Sequence, residues 1–174
     1  MKRLLLLGGG HAHVHVLQAF AREPLAGVEL TLVTPFARQM YSGMVPGLVA
    51  GHYGTDACVI PLRPLARAAG VRFVEGAAVG LDAARREVTL ADGSVQGYEW
   101  LSLDTGPVMD RGLIPGAGEH GLFVRPIERF VLQLGQVFAR AEVAPLQVAV
   151  VGGGAAGDVA TRVDPPDPRR GERG

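Results

Sequence analysis

Cysteine is nearly absent from this sequence. The single Cys58 excludes an internal disulfide and a dithiol redox pair within the chain, and it fits a reducing compartment. Excess charge is absent too: 17 Lys and Arg stand against 17 Asp and Glu, a formal net charge of +0. That balance offers no electrostatic attraction to nucleic acid or to an anionic membrane surface. No apolar run approaches the length that crosses a bilayer. The start, Met1-Lys2-Arg3 and then Leu4 to Leu7, superficially resembles a secretory signal. Four leucines are too few for its apolar segment, and Gly8 to Gly10 interrupt it. The cytoplasm is the default expectation.

What is present is 174 residues, 48% of them hydrophobic, which suits one domain and a fraction with a real core. The 25 glycines fall in clusters, a sign of tight turns and close backbone approach rather than general flexibility. Leu4 to Leu7 is a short unbroken apolar run, and the glycines after it favour a buried strand over a helix. His11 to Arg22 then reads as a helix ended by Pro24, and Val28 to Thr34 as a second strand stopped by Pro35. Strand, glycine turn, helix and strand make a βαβ unit, which implies a parallel pair. Residues 35–56 show no period and read as a long loop whose apolar content argues against disorder.

A short helix from Leu62 to Ala69 and a strand from Val71 to Val74 follow. Ala77 to Leu81, Glu87 to Leu90 and Val95 to Trp100 read as an antiparallel meander, with Asp92-Gly93 as a hairpin turn. Trp100 to Leu103 returns to an apolar strand. Pro126 to Ala141 reads as a helix with Ile127, Phe130, Val131, Leu134 and Phe138 on a core face. Gln147 to Val151 reads as a buried strand before Gly152-Gly153-Gly154. Residues 158–174 carry prolines and arginines and few apolar residues, so an irregular tail is expected there. A strand and a glycine turn without a following helix are half a unit, so the chain is expected to be truncated.

Two glycine motifs carry chemistry. In Gly8-Gly9-Gly10-His11-Ala12-His13, Gly8 permits a tight turn, and Gly10 lets a pyrophosphate approach the backbone. The helix start offers free N–H groups and a positive dipole end. His13 stands where the usual third glycine would be. The second motif, Gly152-Gly153-Gly154-Ala155-Ala156-Gly157, has all three glycines of G-x-G-x-x-G. Either alone is compatible with an ordinary glycine turn, but two at this separation point to two dinucleotide sites.

These motifs, with Tyr41-Ser42-Gly43-Met44-Val45-Pro46-Gly47 and Tyr98-Glu99-Trp100-Leu101-Ser102-Leu103-Asp104-Thr105-Gly106, resemble the two-dinucleotide FAD/NAD(P) oxidoreductase superfamily. The likeness is to its type II NADH dehydrogenase and sulfide:quinone reductase branch. More narrowly, it is to the flavoprotein fused to selenide, water dikinase. It covers about residues 2–157. It implies a Rossmann-like FAD-binding domain over 1–144 with the meander at 77–100. A second, NAD(P)-binding domain would begin at 145–157.

By the same resemblance, Gly8, Gly9 and Gly10 with the amides of His11 and Ala12 would hold the FAD pyrophosphate. Thr34 and Pro35 would lie beside the adenosine ribose, and Ala77 and Ala78 would face the adenine. Asp104, Thr105 and Gly106 stand where the family has Ala-Thr-Gly near the flavin. Ser42 to Gly47, with Pro46 among them, would approach the isoalloxazine. Gly152, Gly154 and Gly157 would begin the NAD(P)H site. Arg38 either pairs with a cofactor phosphate or is a solvated loop residue.

The sequence departs from the family where Thr34 replaces the acid that grips the ribose, and Glu29 sits too early to substitute. The family's later Gly-Asp turn has no counterpart. No cysteine lies between Gln39 and Gly47, so electrons would leave the flavin for an outside small-molecule acceptor, such as a quinone, rather than a disulfide. Cys58, among Ala57, Val59 and Ile60, reads as a small core hydrophobe. Of His11, His13 and His15, a helix brings together only the first and last, so no metal site is expected, and packing at the helix start is the simpler reading. Full-length relatives would work in the cytoplasm or peripheral to the inner membrane. Two other readings stay open: a non-catalytic nucleotide-binding module, and an inactive truncated fragment.

Overall fold

The computed structural model describes residues 2–152. Along the chain run β1 (Lys2–Leu7), α1 (His11–Arg22), β2 (Val28–Thr34), β3 (Arg38–Met40), α2 (Val45–Val49), β4 (Val59–Pro61), α3 (Leu62–Ala68) and β5 (Arg72–Glu75). There follow β6 (Ala78–Asp82), β7 (Glu87–Leu90), β8 (Val95–Gly97), β9 (Trp100–Leu103), α4 (Ala117–His120) and α5 (Ile127–Val143). Two compact units result. One comprises the chain up to Gln39 with Ile60–Asp110, and the other Met40–Val59 with the described chain from Arg111.

The first unit is built on a parallel sheet in the order β5-β2-β1-β9. Leu4 pairs with Leu30 and with Trp100, and Leu7 with Val33 and Leu103. Successive strand residues face opposite sides, so the leucine run of β1 serves two cores at once. Leu6 packs with Leu30, Leu32, Val14 and Leu17 of α1, and Leu62 and Ala66 of α3. Leu5 and Leu7 pack with Val33 and with Val88, Leu90 and Tyr98 from the meander. Helices therefore cover one face and the antiparallel sheet β6-β7-β8 the other. This is the α/β fold with a parallel sheet and an antiparallel insert that the sequence predicts.

The Asp92-Gly93 turn between β7 and β8 forms as expected, with Gly93 at φ +84. The Ser94 N–H and hydroxyl both donate to Asp92 Oδ1, at 2.9 and 2.7 Å, and hold that carboxyl below its usual range.

Three expectations need correction. Residues 35–56 are not a plain loop: they contain β3, α2 and single 3-10 turns at Ser42–Met44 and Thr55–Cys58. A helix of five residues is too short to show a period. Its apolar residues are buried by distant ones, since Met40, Val45 and Cys58 pack with Ile127, Phe130 and Leu134 of α5 in the second unit. Phe138, placed by its spacing on that core face, is exposed; the cluster ends about one turn earlier. Gln147–Val151 forms no strand, and Val148, Val150 and Val151 are exposed. A lone apolar run becomes a strand only where a neighbour takes its backbone hydrogen bonds. Among the described residues none pairs with this one.

Candidate functional site

All four strands of the parallel sheet end on the same edge, the usual position for a ligand in such a fold. β1 ends in a turn at Gly8, whose φ of +97 suits glycine alone. The turn is held from both neighbouring strands. Gly8 N–H donates to Val33 O at 2.8 Å, and Asp104 N–H donates to Leu7 O at 2.8 Å. Gly10 is the N-cap of α1 and contributes no side chain, and the first turn of the helix contains no acid.

The three glycines are each pressed by the chain's own atoms. A Cβ at Gly8 would overlap the Asp104 carbonyl and come within 2.6 Å of Thr105 N. One at Gly9 would meet Leu62 Cδ1 and lie 3.3 Å from Thr34 Oγ1. One at Gly10 would fall among the carboxylate atoms of Asp104. The acid missing from the first turn of α1 is thus supplied by the end of β9. Asp104 Oδ2 accepts from His13 N–H at 3.0 Å, and Asp104 O from Gly10 N–H at 3.1 Å. A negative group is stabilised there by amides that have no acceptor within the helix and by the dipole, by about 0.3–1 kcal/mol.

His13, read from the sequence as packing at the helix start, and Gln39, which carried no signal there, hold this corner together. His13 is buried, and its Nδ1 donates to Gly8 O at 2.6 Å while Nε2 accepts from the Ser102 hydroxyl at 2.9 Å. The Gln39 amide is satisfied with its nitrogen on Gly9 O at 3.1 Å and its oxygen accepting from His11 N–H at 3.2 Å. The signals in the sequence were a histidine at a glycine position and an aspartate at an alanine position. Neither reveals its partner without the fold.

Gly8, Gly9, Gly10, Thr34, Asp104 and Thr105 therefore come together at the sheet edge. Thr34 is buried, and its carbonyl takes Gly76 N–H at 2.9 Å, which brings exposed Ala77 and Ala78 after it. Ala12 lies exposed in the first turn of α1; Pro35, Arg38 and Gly106 are exposed too. Ser42 and Pro46 belong to the second unit, where Ser42 opens a 3-10 turn and Pro46 lies in the first turn of α2. Gly152 also lies there, exposed at φ +120, while Gly154 and Gly157 fall outside the described residues. Cys58 is buried, and desolvation pushes its thiol pKa up.

A diphosphate would need the first-turn amides of α1 and the space above Gly10. The N–H groups of Gly10, His11 and His13 are held by Asp104 and Gln39, and the Asp104 carboxylate fills the space. The glycines and amides suit a diphosphate in kind, but with Asp104 in this position they do not fit one.

No family model matches the sequence. Solved structures do. A NAD-dependent persulfide reductase from A. fulgidus superposes with a TM-score of 0.74 at 17% identity, over 93% of this chain and 32% of its own. The sulfide:quinone oxidoreductase of the bacterium Aquifex aeolicus gives 0.65 at 21% identity, over 83% and 33%. NDH2 from Plasmodium falciparum, in complex with NADH, gives 0.67 at 14% identity, over 83% and 30%. The fold is that of their Rossmann-like fragment. This chain spans about a third of the length of each.

Proposed function

We propose that this chain is the FAD-binding portion of an NAD(P)H-dependent oxidoreductase. The carrying observation is the three-glycine turn between β1 and α1, set at the carboxyl edge of a parallel sheet. The fold is shared with a NAD-dependent persulfide reductase and with NDH2 in complex with NADH. In this reading Gly8, Gly9, Gly10, His11 and Ala12 take the pyrophosphate, Thr34 and Pro35 the ribose, and Ala77 and Ala78 the adenine. Asp104, Thr105, Gly106, Ser42 and Pro46 lie towards the flavin, with Arg38 near a phosphate. Residues 1–144 form the FAD-binding domain. The motif Gly152, Gly154 and Gly157 begins the NAD(P)-binding domain; residues 158–174, expected from the sequence to be a tail, lie outside the described residues.

FAD would supply the hydride chemistry, and the protein position and electrostatics. A full cycle, from NAD(P)H to an acceptor such as a quinone, belongs to a chain that carries the second domain. The lack of a cysteine pair between Gln39 and Gly47 supports a non-disulfide acceptor. The finer assignment is to the branch fused to selenide, water dikinase, which works in the cytoplasm or at the inner membrane. No helix among the described residues is long and apolar enough to cross a membrane.

The test is a visible absorption spectrum after adding FAD and desalting. A retained flavin band is the expected result, and a colourless protein at saturating FAD would sink the reading. A second reading, the inactive fragment, is favoured by the Asp104 carboxylate at the helix start, which fills the space a diphosphate needs. A protein that stays colourless would select it.

A further inference from the structure

We propose that Asp104 is a displaceable internal anion that sets the affinity of the α1 turn for phosphate-bearing ligands. The proposal rests on the dinucleotide reading of that turn and adds a regulating residue to it.

The carboxylate sits where a phosphate oxygen would sit. It accepts from the N3 amide of α1, His13 N–H, at 3.0 Å, and it fills the space that the missing side chain of Gly10 leaves open. A helix start attracts any nearby anion, so a carboxylate and a phosphate compete for the same amides. Two anions held together there would repel one another strongly, because both are partly removed from water. Binding must therefore move the carboxylate.

The movement is local. Asp104 N–H is fixed on Leu7 O at 2.8 Å, and Asp104 O on Gly10 N–H at 3.1 Å, so its backbone is part of the sheet edge. Only the side chain has to rotate about Cα–Cβ, and Asp104 is partly exposed, which leaves water on one side to receive it. The turn stays in shape while its anion is exchanged. Free protein is thus stabilised by its own acid, and a ligand binds more weakly by the amount that acid contributed. The ligand class is a nucleoside diphosphate or dinucleotide, since only the phosphates meet the competitor.

The experiment compares wild type with Asp104→Asn and Asp104→Ala by calorimetric titration with ADP, FAD and adenosine. Asn keeps the shape and an acceptor for His13 N–H, so it separates charge from folding. Circular dichroism checks that each variant is folded. Both variants should bind ADP and FAD about two- to fivefold more tightly, a gain of ~0.4–1 kcal/mol, with adenosine unchanged. In wild type, ADP saturation should also shift the His13 amide resonance, because its acceptor changes. Equal affinity in all three proteins overturns the proposal and leaves the cradle standing, and weaker binding in the variants does the same by making Asp104 a ligand-holding residue. Saturable binding in none of them overturns both the proposal and the dinucleotide reading.

Discussion

The ring of His13 donates Nδ1–H to the carbonyl oxygen of Gly8 at 2.6 Å. A carbonyl only accepts, so the proton is on Nδ1. Nε2 then accepts from Ser102, 2.9 Å away. The ring therefore ties the glycine turn to β9, and a glycine-motif view of the same position leads to the opposite expectation. His13→Gly would complete G-x-G-x-x-G, yet it should destabilise the protein by about 3 kcal/mol. It leaves buried polar groups unpaired at ~1–3 kcal/mol and places glycine in a helix at ~1 kcal/mol. Urea unfolding measures this. Unchanged or raised stability would show that the ring is not structural.

Gly10 and Asp104 should be energetically coupled, and Gly8 provides the contrast. Gly10→Ala pushes a methyl into the Asp104 carboxylate, which can rotate away, so a loss of about 1–2 kcal/mol is expected. In an Asp104→Ala background the same change should cost close to nothing, giving a coupling of about 1 kcal/mol or more. Gly8→Ala meets the Asp104 main chain at φ +97, so it should be severe in both backgrounds. A double-mutant cycle in urea reads all of this, and additivity at Gly10 would remove the contact from the account.

The local frame was legible because each signal lay within a few residues. The leucine run, the glycines after it and Pro24 and Pro35 delimit β1, α1 and β2 without reference to anything distant. Asp92-Gly93 is equally local. The failures share one cause, dependence on remote partners. Met40 and Val45 owe their burial to α5, and among the described residues Val148 and Val150 have no strand to pair with. At the candidate site the glycines were visible but their contacts were not. Asp104 reaches His13 across 91 residues, and no spacing rule predicts that an aspartate will close over a glycine.

Two glycines should respond to alanine in opposite directions. Gly135 lies inside α5, is exposed, and has nothing within 4 Å of a built Cβ. Gly135→Ala should therefore stabilise by about 0.5–1 kcal/mol, through helix propensity and a less flexible unfolded chain. Gly93 also has open space, but its φ is +84. Gly93→Ala should cost about 1 kcal/mol from backbone strain alone. Thermal unfolding of the two variants beside wild type checks the pair. A gain at Gly93, or a loss at Gly135, would contradict the backbone assigned to that residue.

Cys58 should be chemically silent in the native protein. It is 1% exposed, and its Sγ–H points to Gly54 O at 3.7 Å, a bond that exists only while the thiol is protonated. Desolvation raises its pKa, so the reactive thiolate is scarce at neutral pH, and reagent must also wait for the site to open. An aromatic disulfide reagent at pH 8 should therefore react at least about a hundredfold more slowly than with urea-unfolded chain. The sign for stability follows from the raised pKa. The neutral thiol's contribution is complete below the unfolded pKa, roughly 8.5, and is lost as pH rises through the higher folded value. Between pH 8 and 10 wild type should lose stability more steeply than Cys58→Ala, which shares every other titrating group. Parallel pH profiles, or rapid native labelling, would mean that the thiol is not held in the apolar cluster with Met40, Val45 and Phe130.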